Sequence, residues 1–152
     1  MKLVPKICAL FLLIAVVAPL QARVIENSRN ELPFSFYNIC TFEQFSGFLL
    51  IHTVLREHED GAGGYHYGFH YQPQGGVLVG EDSGEIYRTT GVTREGGNIG
   101  VSGLPFEFTF VNHANFIIPG SDTTKLHQTI HVTVNELGEV TSEVLNARVE
   151  CH

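Results

Sequence analysis

Histidine and aromatic residues alternate in the segment GGYHYGFHYQPQG, residues 64–76, which offers the most conspicuous chemical groups of the chain. Two imidazoles directly opposite each other on paired strands have Cβ atoms about 5 Å apart and can share a zinc or copper ion. His66 and His70 cannot do so alone, because a spacing of four along a strand separates them by roughly 13 Å. The same holds for His127 and His131. We therefore expect no metal and no cofactor, and interpret these histidines as part of a polar outer face.

Motifs of established enzyme classes are absent from the sequence. It contains no GxSxG elbow, no HExxH and no P-loop. Acidic residues cluster in two predicted turns, around residues 57–60 and 81–85, but their spacing matches no EF-hand loop. No catalytic residue is predicted, and we expect a protein that is not an enzyme.

The N-terminal residues 1–22 have the pattern of a signal peptide. Lys2 and Lys6 precede an apolar run over residues 7–17, and small residues follow up to Ala22. The run is too short to cross a bilayer as a helix, so no membrane span is expected in the mature protein. The sequence thus predicts a secreted or periplasmic protein.

Cys40 and Cys151 are the two cysteines that remain after removal of the leader, which contains Cys8. An even pair in an exported chain predicts a disulfide bond, here between the two ends of the mature domain. Such a bond requires the first and last structural elements to be neighbours in space. Two free thiols or an intermolecular bridge are the alternatives.

The charge of the chain is acidic. Its formal net charge is −7, and loss of Lys2 and Lys6 with the leader makes the mature protein more negative still. Such a surface disfavours nucleic acid and anionic membranes as partners.

The mature chain has the pattern of one all-β domain over residues 33–152, after a polar stretch, residues 23–32, that we expect to form a loose N-terminal arm. Segments rich in Val, Ile, Thr, Tyr and Phe alternate with turn-forming clusters such as EDGAGG, QPQGG, GEDSG, REGGN and NELG. The predicted strands cover residues 35–42, 46–57, 65–72, 77–79, 85–94, 106–112 with a continuation towards 118, 124–135 and 139–150.

About eight sequential antiparallel strands predict a meander. A disulfide that joins its ends favours closure into a small β-barrel, because pairing of the first and last strands removes both exposed edges. A β-sandwich is the alternative.

The predicted hairpin around EDGAGG places its histidines on one face and its aromatic rings on the other. If the rings join the core, every second register is excluded, because a slip by one residue would turn them to solvent. Two registers remain: one sets His52 opposite His70 and Arg56 opposite His66, and the other sets His58 opposite His66.

The inward aromatic residues are the candidate ligand-binding residues. An eight-stranded barrel is just wide enough either to be filled by side chains or to hold one small ligand, so such rings can line a pocket or pack as a core. The candidates are Tyr65, Tyr67, Phe69, Tyr71, Tyr87, Phe106, Phe108 and Phe110.

The stretches TTGVTRE, residues 89–95, and HQTIHVTVNELGEVTSEVLNARVEC, residues 127–151, resemble segments of small exported bacterial proteins without an assigned activity. The resemblance covers about the second half of the mature chain and implies an all-β domain behind a leader, but no activity. The expected architecture is also similar to that of allene-oxide-cyclase-like and dirigent barrels, although no catalytic motif of theirs can be matched.

Three functions are compatible with these patterns. The first is a non-enzymatic binder of a small apolar or aromatic ligand, or of a surface partner. The second is an isomerase or cyclase, which would require a polar residue such as Glu107, Arg88 or His113 beside a cavity. The third is a structural or interaction module whose outer face meets another protein.

Overall fold

The computed structural model describes residues 22–121 and 123–152, and the predicted signal peptide lies outside this part of the chain except for Ala22. The described residues form β-strands, turns and loops, which confirms the all-β class. They contain no helix long and apolar enough to cross a membrane. The strands are β1 (Arg23–Asn38), β2 (Glu43–Glu59), β3 (Tyr65–Gly80), β4 (Ile86–Ile99), β5 (Phe106–Ile117), β6 (Thr123–Val134) and β7 (Val140–Cys151).

The seven strands form one antiparallel sheet in sequence order, so the predicted meander is confirmed. Each strand pairs with the next strand along the chain, and a short turn connects the two. Asp and Asn side chains stabilise these turns by hydrogen bonds to the backbone. In the turn between β2 and β3, the Asp60 carboxylate accepts hydrogen bonds from the backbone N–H groups of Ala62 and Gly64. Asn135 makes equivalent bonds with Leu137 and Glu139 between β6 and β7.

The predicted closure into a barrel is not supported, and β1 and β7 remain the two edges of the sheet. The odd number of strands gives a physical reason. In a meander of seven strands β1 and β7 run in the same direction, so closure would require a parallel pair with slanted hydrogen bonds. Only their C-terminal ends are joined, through the predicted disulfide bond between Cys40 and Cys151, whose Cα atoms are 5.6 Å apart. The alternative of a two-sheet sandwich is not formed either.

The predicted strand break at QPQGG is absent, which lowers the number of strands from eight to seven. Residues 65–72 and 77–79 belong to one strand, β3, although its pairing with β4 is interrupted between Tyr71 and Leu78. Gly76 has a φ of +115°, and a Cβ at this position would clash with the Phe48 carbonyl on β2. The glycine therefore permits a close approach of two backbones rather than a turn.

The stretch expected to form a loose N-terminal arm, residues 23–32, is the first part of β1 and pairs with β2 from Arg23 onward. Most of its side chains are exposed, which explains the polar sequence. The backbone hydrogen bonds to β2, rather than buried apolar side chains, hold this stretch in place.

The core lies at the end of the sheet that the disulfide holds together. Its buried apolar residues come from four strands and the segment that follows β5, and Phe34 and Phe36 of β1 pack against them. The Phe36 ring stacks on Phe116 of β5 with centroids 4.9 Å apart, so the sheet curls until β1 faces β5. The buried apolar residues are Phe45, Leu49, Leu78, Tyr87, Phe116 and Ile118.

Candidate ligand-binding site

The curled sheet has an inner face, which we divide into a closed end near the Cys40–Cys151 bond and an open end near Tyr65 and Phe106. Strand alternation together with the register assigns the inner side chains. Phe116 of β5 lies opposite Thr124 of β6 and Thr89 of β4 at the closed end, whereas Phe106 lies opposite Val134 and Ile99 at the open end.

A hydrogen-bonded network fills the closed end beneath the disulfide. The Tyr87 hydroxyl, on a side chain that is 1% exposed, donates to the Glu43 carboxylate at 3.0 Å. That carboxylate also accepts from the backbone N–H groups of Ser83 at 2.7 Å and Asp82 at 3.1 Å. The bond from the Ser83 backbone is the largest cause that lowers the pKa of Glu43, while burial raises the pKa of Tyr87. The network therefore ties β2 to the turn between β3 and β4.

A second polar contact joins the two ends of the chain. The Thr124 hydroxyl donates to the Asn38 side-chain carbonyl at 2.9 Å, and the same oxygen accepts from the Cys40 backbone N–H at 2.9 Å. Both Asn38 and Thr124 are almost completely buried. The closed end is therefore held by a buried polar contact as well as by a covalent bond.

A cavity of about 220 Å³ lies on the inner face, next to the closed-end core. Its wall is predominantly apolar and comes from six strands, β1 to β6. The lining residues are Leu32, Pro33, Phe34, Phe36, Leu49, Ile51, Tyr71, Pro73, Thr89, Thr93, Asn112, Ala114, Phe116 and Leu126.

A short polar row crosses one wall of this cavity. The Thr93 hydroxyl donates to the Asn112 side-chain carbonyl at 2.9 Å, and the Asn112 amide nitrogen donates to Gln128 at 2.9 Å. Thr89 also lines the cavity, and its buried hydroxyl has no hydrogen-bond partner among residues 22–121 and 123–152. The cavity is thus apolar with one satisfied polar row and one unsatisfied hydroxyl.

Four aromatic rings of β3 form a ladder from the cavity to the open end. Centroid separations are 5.6 Å between Tyr71 and Phe69, 6.1 Å between Phe69 and Tyr67, and 6.3 Å between Tyr67 and Tyr65. Tyr71 touches the cavity, and Tyr65 is 38% exposed. Burial is the main cause that raises the pKa of Tyr67 and Tyr71, and the nearby Glu95 carboxylate raises both further.

Three phenylalanine rings of β5 also lie on the inner face, and Gly97 of β4 separates them from the aromatic rings of β3. Phe106, Phe108 and Phe110 are half-buried and alternate with outward residues. Gly97 of β4 lies opposite both Tyr67 and Phe108, and a Cβ there would clash with the Glu107 backbone carbonyl and come within 3.1 Å of the Tyr67 ring. The absence of a side chain at Gly97 lets the Tyr67 ring lie over β4.

The structure brings most of the predicted ligand-binding residues onto one inner face, but only one of them lines the cavity. Tyr71 forms part of the cavity wall, whereas the other open-end rings extend beyond it. Tyr87 lies in the closed-end core, where its ring stacks on Phe45 with centroids 4.6 Å apart.

The polar residues named for an isomerase or cyclase lie on the outer face. Arg88 and His113 are exposed, and Glu107 accepts a hydrogen bond from Asn98 at 2.7 Å. None of the three lines the cavity. In the part of the chain that the structure describes, Tyr71 is the one titratable residue in the cavity wall.

The histidines lie on the outer face as expected. His58 is opposite His66, which selects the second of the two predicted registers, and the two rings stack with centroids 4.4 Å apart. His113 and His127 form a second cross-strand pair, with centroids 4.9 Å apart. Among the described residues, no group of three His, Cys, Asp or Glu side chains is placed to hold a metal ion.

Sequence reasoning missed the cavity wall that β1 contributes and the buried role of Glu43. The alternation in LPFSFYN, residues 32–38, places Leu32, Phe34 and Phe36 on one face and could have identified the wall. No local signal distinguishes Glu43 from a surface carboxylate, because its partners lie about 40 residues later in the chain.

No protein-family model, curated protein or solved structure matches this chain. The chemistry of the inner face is therefore the basis for a functional assignment.

Proposed function

We propose that the protein binds a small apolar or aromatic molecule in the inner cavity, and does so without catalysis. The observation that carries this proposal is the cavity of about 220 Å³ with its predominantly apolar wall. An apolar cavity of about 150 Å³ in a protein interior is sufficient for benzene. By proportion, a molecule of about nine heavy atoms fits here, which is the size of indole and one atom smaller than naphthalene.

The chemistry of the wall supports binding rather than acid–base catalysis. A catalytic acid or base is expected to have its pKa near the operating pH. The pKa of Tyr71, the titratable residue of the wall, is instead raised by burial and by the Glu95 and Glu26 carboxylates. The hydroxyl therefore stays protonated at neutral pH, which disfavours a role as general base and leaves it as a hydrogen-bonding group of the wall.

The carboxylates of the inner face favour a neutral or positively charged ligand. Glu95 of β4 lies opposite both Phe69 and Phe110, and Glu26 of β1 lies opposite Leu55. Two negative groups beside aromatic rings attract an organic cation and repel an anion. We therefore expect an aromatic amine to bind more tightly than an aromatic acid of the same size.

The proposed setting is outside the cytoplasm. The Cys40–Cys151 bond is compatible with an extracellular location, because such bonds persist in oxidising compartments. Export itself rests on the signal-peptide pattern of residues 1–22.

Binding can be tested by NMR titration of the protein with indole or naphthalene. We expect ligand-induced shifts at Ala114, Leu126 and Tyr71, and loss of these shifts in the Ala114→Leu variant, whose larger side chain fills the cavity. Asn115→Leu is the matched control, because it adds a similar side chain at the next position, on the outer face. Equal binding by both variants, or shifts confined to the surface, would contradict the proposal.

A further inference from the structure

A second concave region lies on the outer face of β2, β3 and β4, on the side of the sheet opposite the aromatic ladder. It is a groove of about 650 Å³, which we call the basic groove. Its outward-facing residues are His52, Val54, Arg56, Gly68, His70, Gln72 and Arg94.

The register places one arginine on each of the two strands that flank β3. Arg56 of β2 lies opposite Gly68 of β3, and Arg94 of β4 lies opposite His70, two residues further along β3. With neighbouring strands about 4.8 Å apart and residues about 3.4 Å apart along a strand, the two arginine Cα atoms are about 12 Å apart. Two long side chains can therefore converge above Gly68, with His70 between them.

Gly68 leaves the floor of the basic groove open, although its backbone surroundings do not require a glycine. A Cβ at this position would meet only the Glu95 carbonyl oxygen, at 3.9 Å, which is an ordinary contact. The glycine also has no positive φ. The open floor is thus a property of the outer surface and not a requirement of strand pairing.

The charge of the basic groove is opposite to that of the whole chain. The chain has 16 Asp and Glu residues against 9 Lys and Arg, yet the outward positions of β2, β3 and β4 hold no carboxylate. The ion pairs found among residues 22–121 and 123–152 involve His66, Arg148 and His152, so Arg56 and Arg94 have no carboxylate partner there. Glu95 borders the groove, but strand alternation turns its side chain to the inner face.

We infer that the basic groove binds a small oxyanion, a phosphate or sulfate group. The planar guanidinium group donates two parallel hydrogen bonds to such an anion, and a tetrahedral oxyanion has enough acceptor oxygens for two guanidinium groups and an imidazole. This site lies on the other face of the sheet from the apolar cavity. It does not depend on the proposed function.

The test is a titration with inorganic phosphate and with sulfate at constant ionic strength, followed by NMR of the full mature protein. We expect saturable shifts at Gly68, His70 and Arg94. Removal of one arginine, Arg56→Gln or Arg94→Gln, should weaken binding about tenfold, the loss expected for one charge-assisted bidentate contact. Gly68→Val fills the floor without a change of charge and should abolish binding.

Arg88→Gln is the control, because it removes an exposed positive charge from the outer face of β4 at a distance from the basic groove. It should leave phosphate binding unchanged. Equal weakening by Arg88→Gln and Arg94→Gln would show a general electrostatic effect and overturn the inference, as would unchanged binding in Gly68→Val. The folding of each variant is checked by its unfolding midpoint, so that loss of binding is not confused with loss of structure.

A phosphate group has two sources, a free anion and a lipid headgroup, and a second experiment separates them. Vesicles of phosphatidylcholine with one-fifth phosphatidylglycerol are mixed with the protein and sedimented. Sedimentation that depends on Arg56 and Arg94 would identify a headgroup, and phosphate binding without sedimentation would identify a free anion. Binding to neither probe would overturn the inference.

Discussion

The Thr89 hydroxyl is the least satisfied polar group of the cavity wall. It is buried and has no hydrogen-bond partner in the described part of the chain. An unsatisfied buried hydroxyl destabilises the folded state by about 1–3 kcal/mol, and an apolar group of the same shape removes that penalty. A ligand with one hydrogen-bonding atom could satisfy it instead.

We predict that Thr89→Val raises the free energy of unfolding by about 1 kcal/mol. The measurement is chemical denaturation of the protein without ligand. Thr129→Val, which makes the same change on the outer face of β6, should alter stability by less than about 0.5 kcal/mol. Destabilisation by Thr89→Val would show that the hydroxyl has a partner in solution.

His66 links the β2–β3 turn to β4 in a pH-dependent manner. Hydrogen bonds with Asn98 and then Asp60, whose carboxylate lies 3.2 Å from the ring nitrogen, raise the pKa of His66. Because the folded-state pKa exceeds the unfolded value, the stabilisation is fully present below the unfolded pKa. It is lost as the pH rises through the folded pKa.

We therefore predict that His66→Gln destabilises the protein more at pH 5 than at pH 8. Denaturation midpoints of variant and wild type across this range provide the measurement. His131→Gln removes an outer-face imidazole whose hydrogen-bond partner is the neutral Thr109 hydroxyl, and serves as the control. A difference between wild type and His66→Gln that is independent of pH would contradict the assignment.

At the scale of the strands, glycines of β3 and β4 allow close packing of neighbouring backbones. Gly76 is one such case, because it combines a positive φ with a clash between any Cβ and the Phe48 carbonyl. We predict that Gly76→Ala destabilises the protein by more than about 1 kcal/mol. Gly61→Ala is the control, because a Cβ there has no neighbour within 4 Å. Equal stability of the two variants in chemical denaturation would contradict this account.

Most strands could be predicted from local pattern, whereas the pairing of distant residues could not. Alternation in residues 65–71 gave the inner rings of β3 and, with the histidines, a choice of two registers, of which one is formed. The merger of residues 65–72 and 77–79 was missed because glycine-rich sequence predicts turns and close backbone approaches equally well. The Tyr87 environment was missed for another reason: its partner Glu43 lies on a strand that is not adjacent to β4.

At the scale of the molecule, one covalent bond holds the two ends of a curled sheet together. Cys40 and Cys151 are 111 residues apart, so the bond closes nearly the whole domain into one loop. The chain-entropy model predicts a stabilisation of about 4–5 kcal/mol for a loop of this length. Without the bond, non-covalent contacts of Phe34, Phe36 and Asn38 still join β1 to β5 and β6.

We predict that Cys40→Ser/Cys151→Ser lowers the free energy of unfolding by about 3–5 kcal/mol. Reduced wild-type protein should show the same loss, which separates the effect of the bond from that of the serines. Denaturation curves under oxidising and reducing conditions provide the comparison. Unchanged stability after reduction would contradict this prediction and show that non-covalent contacts hold the closed end.

The inner face of the sheet is hollow beside the closed-end core, and the proposed ligand binding depends on that space. A crystal of the protein pressurised with xenon tests it most directly, because xenon enters dry apolar cavities and is located by its anomalous scattering. We predict a xenon peak between Ile51, Ala114 and Leu126, and its loss in Ala114→Leu. A wild-type crystal without a peak there, with side chains in contact across the space, would contradict the claim.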